Sequence, residues 1–309
     1  MSKQSRLRTL SGIVALAVAV ALTGCGSGTA ATAAKPTAIT IGSQPTLENE
    51  ILAQVYGQAL EAEGYAVSYN AGVGDRKAIV AGLQSGIVDL VPDYSSSLLA
   101  HFDPRSALTT IEAIETALPT FLKPLKLRVL ESTSAQTSTA FVVRKDFARE
   151  HNLVNIGDLA DVAASITIGG PPEFPDRSYG TGGLSRIYGV SDWNFEAYPE
   201  IDDSDIALID GLVNDDVQVA VVHSTAPGIL DEGLVTLGDP QSMIAAQNVI
   251  PIVSKDAYSK RLRTIVDGVS LRITTADLRE FNKLIRVEGH ASAEVIAHDW
   301  LKANGYLDQ

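Results

Sequence analysis

Short β-branched runs alternate with helical patterns along most of this chain. Residues 38–42 read AITIG, and Ile51, Leu52 and Val55 then recur at helical spacing until Gly64. The same alternation predicts strands over residues 38–42, 65–70, 87–91, 128–130, 140–143, 165–169, 217–222 and 249–253. Helices are predicted over residues 47–63, 76–85, 111–122, 183–188, 206–213, 262–269, 275–284 and 291–304. This order is typical of an α/β fold with mostly parallel strands.

The alternation occurs in two segments, near residues 38–91 and 140–222, and predicts two α/β lobes. The carboxyl ends of parallel strands, where helices begin, are the usual ligand-binding edge of such sheets. We therefore expect the two lobes to face each other across a ligand cleft.

The N-terminus has the layout of an export signal. Lys3, Arg6 and Arg8 precede an apolar run over residues 10–22, which is shorter than the roughly 20 residues of a comfortable membrane span. Leu22-Thr23-Gly24-Cys25 follows and resembles a bacterial lipobox. We predict a lipoprotein signal peptide over residues 1–24, lipidation at Cys25 and a flexible tether over residues 25–36. An ordinary signal peptide with an incidental cysteine is the alternative.

Composition excludes several classes of function. Acids outnumber bases 37 to 24, which gives a formal charge of −13 and argues against a nucleic-acid partner. The single cysteine permits no internal disulfide, and the five histidines lack metal-ligand spacing, so neither a metal nor a cofactor is predicted. No phosphate-binding loop, nucleophile elbow or H-E-x-x-H pattern is present, so an enzyme is not predicted.

Two polar loops follow predicted strands and open helices. The first is GSQPT at residues 42–46, and the second is DLVPDYSSS at residues 89–97. Helix N-termini with free backbone N–H groups bind anions readily, so both loops are candidate ligand contacts. The alternative is that these residues only cap their helices.

Five blocks in order resemble the substrate-binding proteins of osmoprotectant ABC importers, of the ProX/OpuC type. They are ITIGSQPTLENEILAQVYGQALEAEGY, KAIVAGLQSGIVDLVPDYSSSL, AFVVRKDFAREHNLVNIGDLA, EFPDRSYGTGGLSRIYGV and VIPIVSKDAY. The resemblance implies a type II periplasmic-binding fold, with lobe 1 over residues 37–136 plus 247–309 and lobe 2 over residues 137–246. It also implies binding of glycine betaine, choline, carnitine or proline betaine, delivery to a membrane ABC permease, and no catalysis. We predict a monomer anchored to the outer face of the cell membrane.

The family holds quaternary ammonium groups on aromatic faces, because such cations have no hydrogen-bond donor. By resemblance, Tyr94 and Ser97 keep family positions, whereas Thr139, Ile209 and His223 stand where relatives carry tyrosines. One aromatic of four would remain, which implies a more polar site suited to a hydroxylated or aromatic solute. Tyr69, Tyr179 and Tyr198 are possible substitute rings.

The predicted ligand-binding residues fall in both lobes. They are Gln44, Tyr94 and Ser97 in lobe 1 and Ser138, Thr139, Arg177 and His223 in lobe 2. Each has a structural alternative, such as a loop, a helix cap or lobe packing, and Arg177 is either a carboxylate clamp or a tie between lobes. The acidic cluster of Asp202, Asp203 and Asp205 is predicted to be a solvated loop, because its spacing does not fit a calcium loop. A ligand-sensing lipoprotein with the same fold is the alternative function.

Overall fold

The computed structural model describes residues 37–199, 205–287 and 291–307. The predicted signal peptide, Cys25 and the tether lie outside the described residues, as do Asp202 and Asp203. Within the described ranges, no helix is both long and apolar enough to cross a membrane.

The strands belong to two sheets. They are β1 (Ala38–Gly42), β2 (Ala66–Asn70), β3 (Leu90–Tyr94), β4 (Leu127–Val129), β5 (Thr139–Val143), β6 (Thr167–Gly170), β7 (Asn194–Ala197), β8 (Val219–His223), β9 (Val235–Thr236) and β10 (Val249–Ser254). The strand order is β2-β1-β3-β10-β4 in the first sheet and β7-β6-β8-β5-β9 in the second. Each sheet with its helices forms one of the two lobes of the predicted α/β fold.

Helices cover the faces of both sheets. They are α1 (Leu47–Ala62), α2 (Arg76–Ser85), α3 (Ser95–Phe102), α4 (Ile111–Leu122), α5 (Lys145–Glu150), α6 (Thr181–Gly183), α7 (Ile206–Val213), α8 (Gly228–Asp231), α9 (Lys260–Ser270), α10 (Thr275–Asn282) and α11 (Ala293–Ala303). Wider π-helical turns continue α6 over Leu184–Tyr188 and α10 over Lys283–Val287. Short polar side chains start the main helices: Thr46 Oγ1 accepts from the backbone N–H of Asn49, and Asp75 from that of Ala78.

The sheets are mixed, but four of the five strands in each run in the same direction, so the prediction of mostly parallel strands is confirmed. β1 pairs in parallel with β2 and β3, and β6 does so with β7 and β8. β10, however, is antiparallel to β3 and β4, and β5 is antiparallel to β8 and β9. Both β5 and β10 enter their sheet from the other lobe, so each runs against the strands built within its own lobe.

Alternation along the central strands separates two hydrophobic cores in each lobe. In β5, Phe141 and Val143 pack into one core, and Ala140 and Val142 pack into the other. β10 does the same in the first lobe, because Val249 and Val253 face α1 and α11 while Ile250 and Ile252 face α3 and α4. A strand buried on both faces reads as a continuous apolar run, which is why both strands were recognisable from sequence.

Two chain crossings and one helix join the lobes. The first crossing leads from β4 to β5 and the second from β9 to β10, and a bridge between Gln136 and Asn248 ties them together. Helix α10 of the first lobe also reaches the second, since Arg279 Nε donates to the carbonyl oxygen of Ser224 at 2.7 Å.

Candidate functional site

A cavity of about 710 Å³ lies between the two lobes, bordered by both crossings. The first lobe contributes Ser96 and residues 106–109, and the second contributes Ser178, Tyr179, Arg186, Ile187 and His223. The crossings supply residues 137–139, 241–245 and Gln247. The volume lies in the range of small-molecule sites, and contacts from both lobes are what a ligand needs in order to favour a closed state.

His223 ends β8 at the cavity wall, opposite Thr139, with which it pairs across the sheet. Asp205 Oδ2 accepts from the His223 backbone N–H at 2.6 Å and lies 3.0 Å from Nδ1. Because a carboxylate only accepts hydrogen bonds, this contact assigns a proton to Nδ1 and orients the ring. The side chain of Asp205 is 5% exposed, so its prediction as a solvated residue is wrong.

Ser138 lines the cavity where the first crossing enters β5. Its backbone N–H donates to Ser224 Oγ at 3.0 Å, and Ser224 Oγ in turn donates to the Gln136 carbonyl oxygen at 2.7 Å. These contacts hold the crossing strand against the end of β8. Ser138, Thr139 and His223 are therefore three predicted residues that the structure brings together.

Ser97 lies beside the cavity rather than on its wall. It stands in the first turn of α3, where its backbone N–H donates to Gln247 Oε1 at 3.0 Å. Gln247 Nε2 donates back to Ser97 Oγ at 2.5 Å. Since Gln247 does line the cavity, Ser97 holds the second crossing against the first lobe. Direct contact of Ser97 with a solute stays a prediction.

Gln44 belongs to a buried ionic cluster in the first lobe. Its Nε2 donates to Asp93 Oδ1 at 2.9 Å, and Asp93 also accepts from Arg76 Nε and Nη2 at 2.7–3.0 Å. Asp93 is fully buried, and Arg76 is its cationic partner. Gln44 is outside the cavity lining, so its ligand contact stays a prediction.

Tyr94 is tied to a second buried carboxylate, that of Glu48 in the first turn of α1. Tyr94 Oη donates to Glu48 Oε1 at 2.7 Å, and Thr137 Oγ1 donates to the same oxygen at 2.6 Å. Asn282 Nδ2 donates to Glu48 Oε2 at 2.7 Å. Burial, and then the charge of Glu48, raise the pKa of Tyr94 well above its usual value, so the phenol remains a donor. Tyr94 thus positions Glu48, and Glu48 positions the cavity residue Thr137.

Arg177 is half-exposed and pairs with Glu173 at 3.0 Å, one helical turn earlier. It is outside the cavity lining, and its role as a carboxylate clamp stays a prediction. Of the substitute rings, Tyr179 lines the cavity. Tyr69 instead lies against Gly57, and Tyr198 lies against Gly211 inside the second lobe.

The structure adds wall residues that sequence reasoning missed. Arg186 lies in the π-helical turn after α6, and Gln241 and Ser242 lie in the second crossing. A crossing between lobes was expected near residue 247, but its polar segment had no motif to mark it. Arg186 lies in a predicted helix, but the pattern of polar and apolar residues in that helix does not indicate which side faces a cleft.

Comparisons with known proteins identify the family of this chain. Residues 37–303 match the family model for the substrate-binding domain of ABC-type glycine betaine transport systems. The chain belongs to this family. Its curated relatives include a glycine-betaine-binding protein of Pseudomonas aeruginosa, 25% identical over 92% of this chain and 93% of that protein. Another is the carnitine transport binding protein OpuCC of Listeria monocytogenes, 22% identical over 87% of this chain and 88% of that protein.

Solved structures show the same fold. A glycine betaine/carnitine/choline ABC transporter structure superposes with a TM-score of 0.79 at 18% identity, over 87% of this chain and all of that one. The fold is the type II periplasmic-binding fold with two lobes. The family binds solutes and is not enzymatic, which confirms the prediction against catalysis.

Proposed function

We propose that this protein is the exported, lipid-anchored binding protein of an ABC importer, which captures a small osmolyte-like solute between its lobes and delivers it to a membrane permease. The observation that carries the proposal is the cavity, because both lobes and both crossings supply its wall. A solute that touches both lobes binds the closed arrangement more tightly than the open one, and this difference drives closure.

The lobe boundaries proposed for this movement are residues 37–136 plus 247–309 and residues 137–246. The sheet composition supports them, since β10 returns to the first sheet. In this scheme Gln44, Tyr94 and Ser97 move with the first lobe, and Thr139, Arg177 and His223 move with the second. Delivery requires the permease to distinguish the closed form from the open one.

We expect a solute of the right class to raise the melting temperature of the purified protein. A ligand at 100 times its dissociation constant stabilises by about 2.7 kcal/mol, and the resulting shift is several degrees. The panel comprises glycine betaine, choline, carnitine, proline betaine, polyols, sugars and phenolic compounds. Ser138→Phe fills the cavity wall and should abolish the shift, whereas Ser191→Phe, at an exposed position away from the cavity, should retain it. Equal shifts in both variants would place the solute elsewhere.

The lipid anchor is tested at Cys25, the one cysteine of the chain. In a bacterial host fed an alkyne-labelled fatty acid, the wild-type chain should carry label and sediment with membranes. Cys25→Ala should lose both label and sedimentation, because the thiol is the acceptor of the lipid. An unlabelled wild-type chain would contradict the proposal.

A further inference from the structure

The cavity wall carries no carboxylate among its described residues, although the chain has 37 acids and 24 bases. The ionisable side chains in that wall are instead Arg186, His223 and the Tyr179 phenol. Arg186 is exposed, and no described residue pairs with it. In an acidic protein, this wall therefore presents a guanidinium and no carboxylate to a solute.

Four carboxylates lie behind the wall: Asp205 and Glu48 contact the wall residues His223 and Thr137, and Asp239 and Glu112 belong to an adjoining cavity of about 510 Å³. The carboxylate oxygens of Asp239 already have hydrogen-bond partners, since they accept from the backbone N–H groups of Met243 and Ile244 and from the Tyr188 hydroxyl. Glu112 lies in the first turn of α4, where its charge complements the helix dipole. None of these four carboxylates lines the interlobe cavity itself.

The wall is also poor in aromatic faces. Tyr179 is its one Phe, Tyr or Trp residue among those described, and its ring already lies 6.3 Å from that of Phe174. A single ring contributes roughly 0.5–2 kcal/mol to cation binding. A trimethylammonium group here would meet one ring, several hydroxyls and a guanidinium of its own sign.

Hydrogen-bonding groups make up much of the remaining wall. Hydroxyls come from both lobes and both crossings, including Thr109, Thr139, Ser178 and Ser242, and Gln241 adds an amide. Hydroxyl and amide groups both donate and accept, so they match solutes with several hydroxyl groups. An arginine fork additionally matches the two oxygens of a carboxylate.

We propose, on the basis of the solute-binding role above, that the ligand is a small hydroxycarboxylate that lacks a quaternary ammonium group. Its carboxylate pairs with Arg186, and its hydroxyl groups bond to the serine and threonine hydroxyls of the opposite wall. The lobe that carries Arg186 and the lobe that carries Thr109 are thereby joined through one solute.

Pairs of solutes that differ in one carboxylate test whether the site prefers a negative charge. D-gluconate is compared with D-glucose, and D-glycerate with glycerol, by titration calorimetry on the full protein, with glycine betaine as the family reference. We expect at least one carboxylate to bind at least ten-fold more tightly than its neutral counterpart and than glycine betaine. The factor of ten corresponds to about 1.4 kcal/mol, which is the lower end for a hydrogen bond to a charged group.

Variants of Arg186 test where the carboxylate of the solute binds. Arg186→Gln should weaken binding of the carboxylate at least ten-fold while leaving any glucose or glycerol affinity within two-fold, and Arg186→Lys should restore part of the loss. Arg149→Gln is the matched control, because Arg149 is exposed on the same lobe and lies outside the wall. Unchanged carboxylate binding in Arg186→Gln would overturn the assignment.

Two outcomes separate this inference from the proposed function. If glycine betaine binds as tightly as the carboxylates and Ser138→Phe abolishes that binding, the ligand class is wrong and the solute-binding role stands. If a carboxylate binds and neither Ser138→Phe nor Arg186→Gln affects it, both the cavity as the binding site and the Arg186 contact are wrong. If neither carboxylate binds, the ligand class is overturned, and the thermal-shift panel alone decides the solute-binding role.

Discussion

Replacing Asp93 with alanine is expected to lower the free energy of unfolding by about 3 kcal/mol. The carboxylate is fully buried and accepts from Arg76, from Gln44 and from the backbone N–H of Tyr94. Removing it leaves the guanidinium of Arg76 with no anionic partner in the cluster, and breaking a buried pair in this way is costly. The Arg76 side chain is 21% exposed, so water reaches part of it and the loss falls at the lower end of the usual range.

Chemical denaturation measures this loss, with an exposed ion pair as the control. Arg263 pairs with Asp267 at 2.8 Å, but the Arg263 side chain is 54% exposed, so Arg263→Gln should change stability little. The double variant Arg76→Ala/Asp93→Ala should be more stable than the sum of the two single losses predicts, because neither charge is then left alone. A wild-type midpoint for Asp93→Ala would show that the cluster does not support the fold.

Replacing Glu48 with alanine is expected to lower the free energy of unfolding by about 2–3 kcal/mol and to weaken solute binding. Three neutral donors converge on this carboxylate, from Tyr94, Thr137 and Asn282, and all three would lose their acceptor. Glu48 is only 4% exposed, so water cannot readily reach the three donors and accept their hydrogen bonds in its place. The effect on binding follows because Thr137 lines the cavity and would no longer be held.

Glu48→Gln is the matched variant for this cluster. It should lower the free energy of unfolding by less than half as much as Glu48→Ala does. One amide oxygen still accepts from Tyr94 and Thr137. Asn282 Oδ1 has no partner among the described residues, so a rotation of the Asn282 amide provides an acceptor for the new N–H group. Denaturation and solute titration are measured on both variants. Equal stability of Glu48→Ala and Glu48→Gln would show that the carboxylate oxygens are not what the three donors require.

Helix ends were readable from the sequence where the chain supplies its own caps. Helix α2 begins after Asp75, whose side chain accepts from Ala78, and ends at Gly86, which adopts φ +75°. Both signals are local, so the predicted range of residues 76–85 is confirmed. The ranges of α4 and α7 are confirmed as well. The prediction of two lobes also follows from local patterning, because each lobe repeats its own series of strands and helices.

Strand β3 shows where local patterning failed. The apolar run predicts a strand over residues 87–91, but the structure has Leu90–Tyr94, and Ile87 is 60% exposed. Pro92 and Asp93 are poor strand formers by themselves. They are in the strand because β10 pairs with them, with Pro251 opposite Pro92 and Ile250 opposite Asp93. That partner lies more than 150 residues away, so no local signal predicts it.

The sequence by itself determined the two lobes and the ends of α2, α4 and α7, because caps and hydrophobic period act over a few neighbouring residues. It also predicted His223, Thr139 and Ser138 as cleft residues, and all three line the cavity. It also pointed to the family, through ordered blocks that the family match confirms. The tertiary structure alone decided that Glu48 gathers Tyr94, Thr137 and Asn282, and that Arg186 joins the cavity wall. These contacts depend on how two lobes and two crossings meet in space, and the energy of a buried carboxylate such as Glu48 is set by partners distant in the chain.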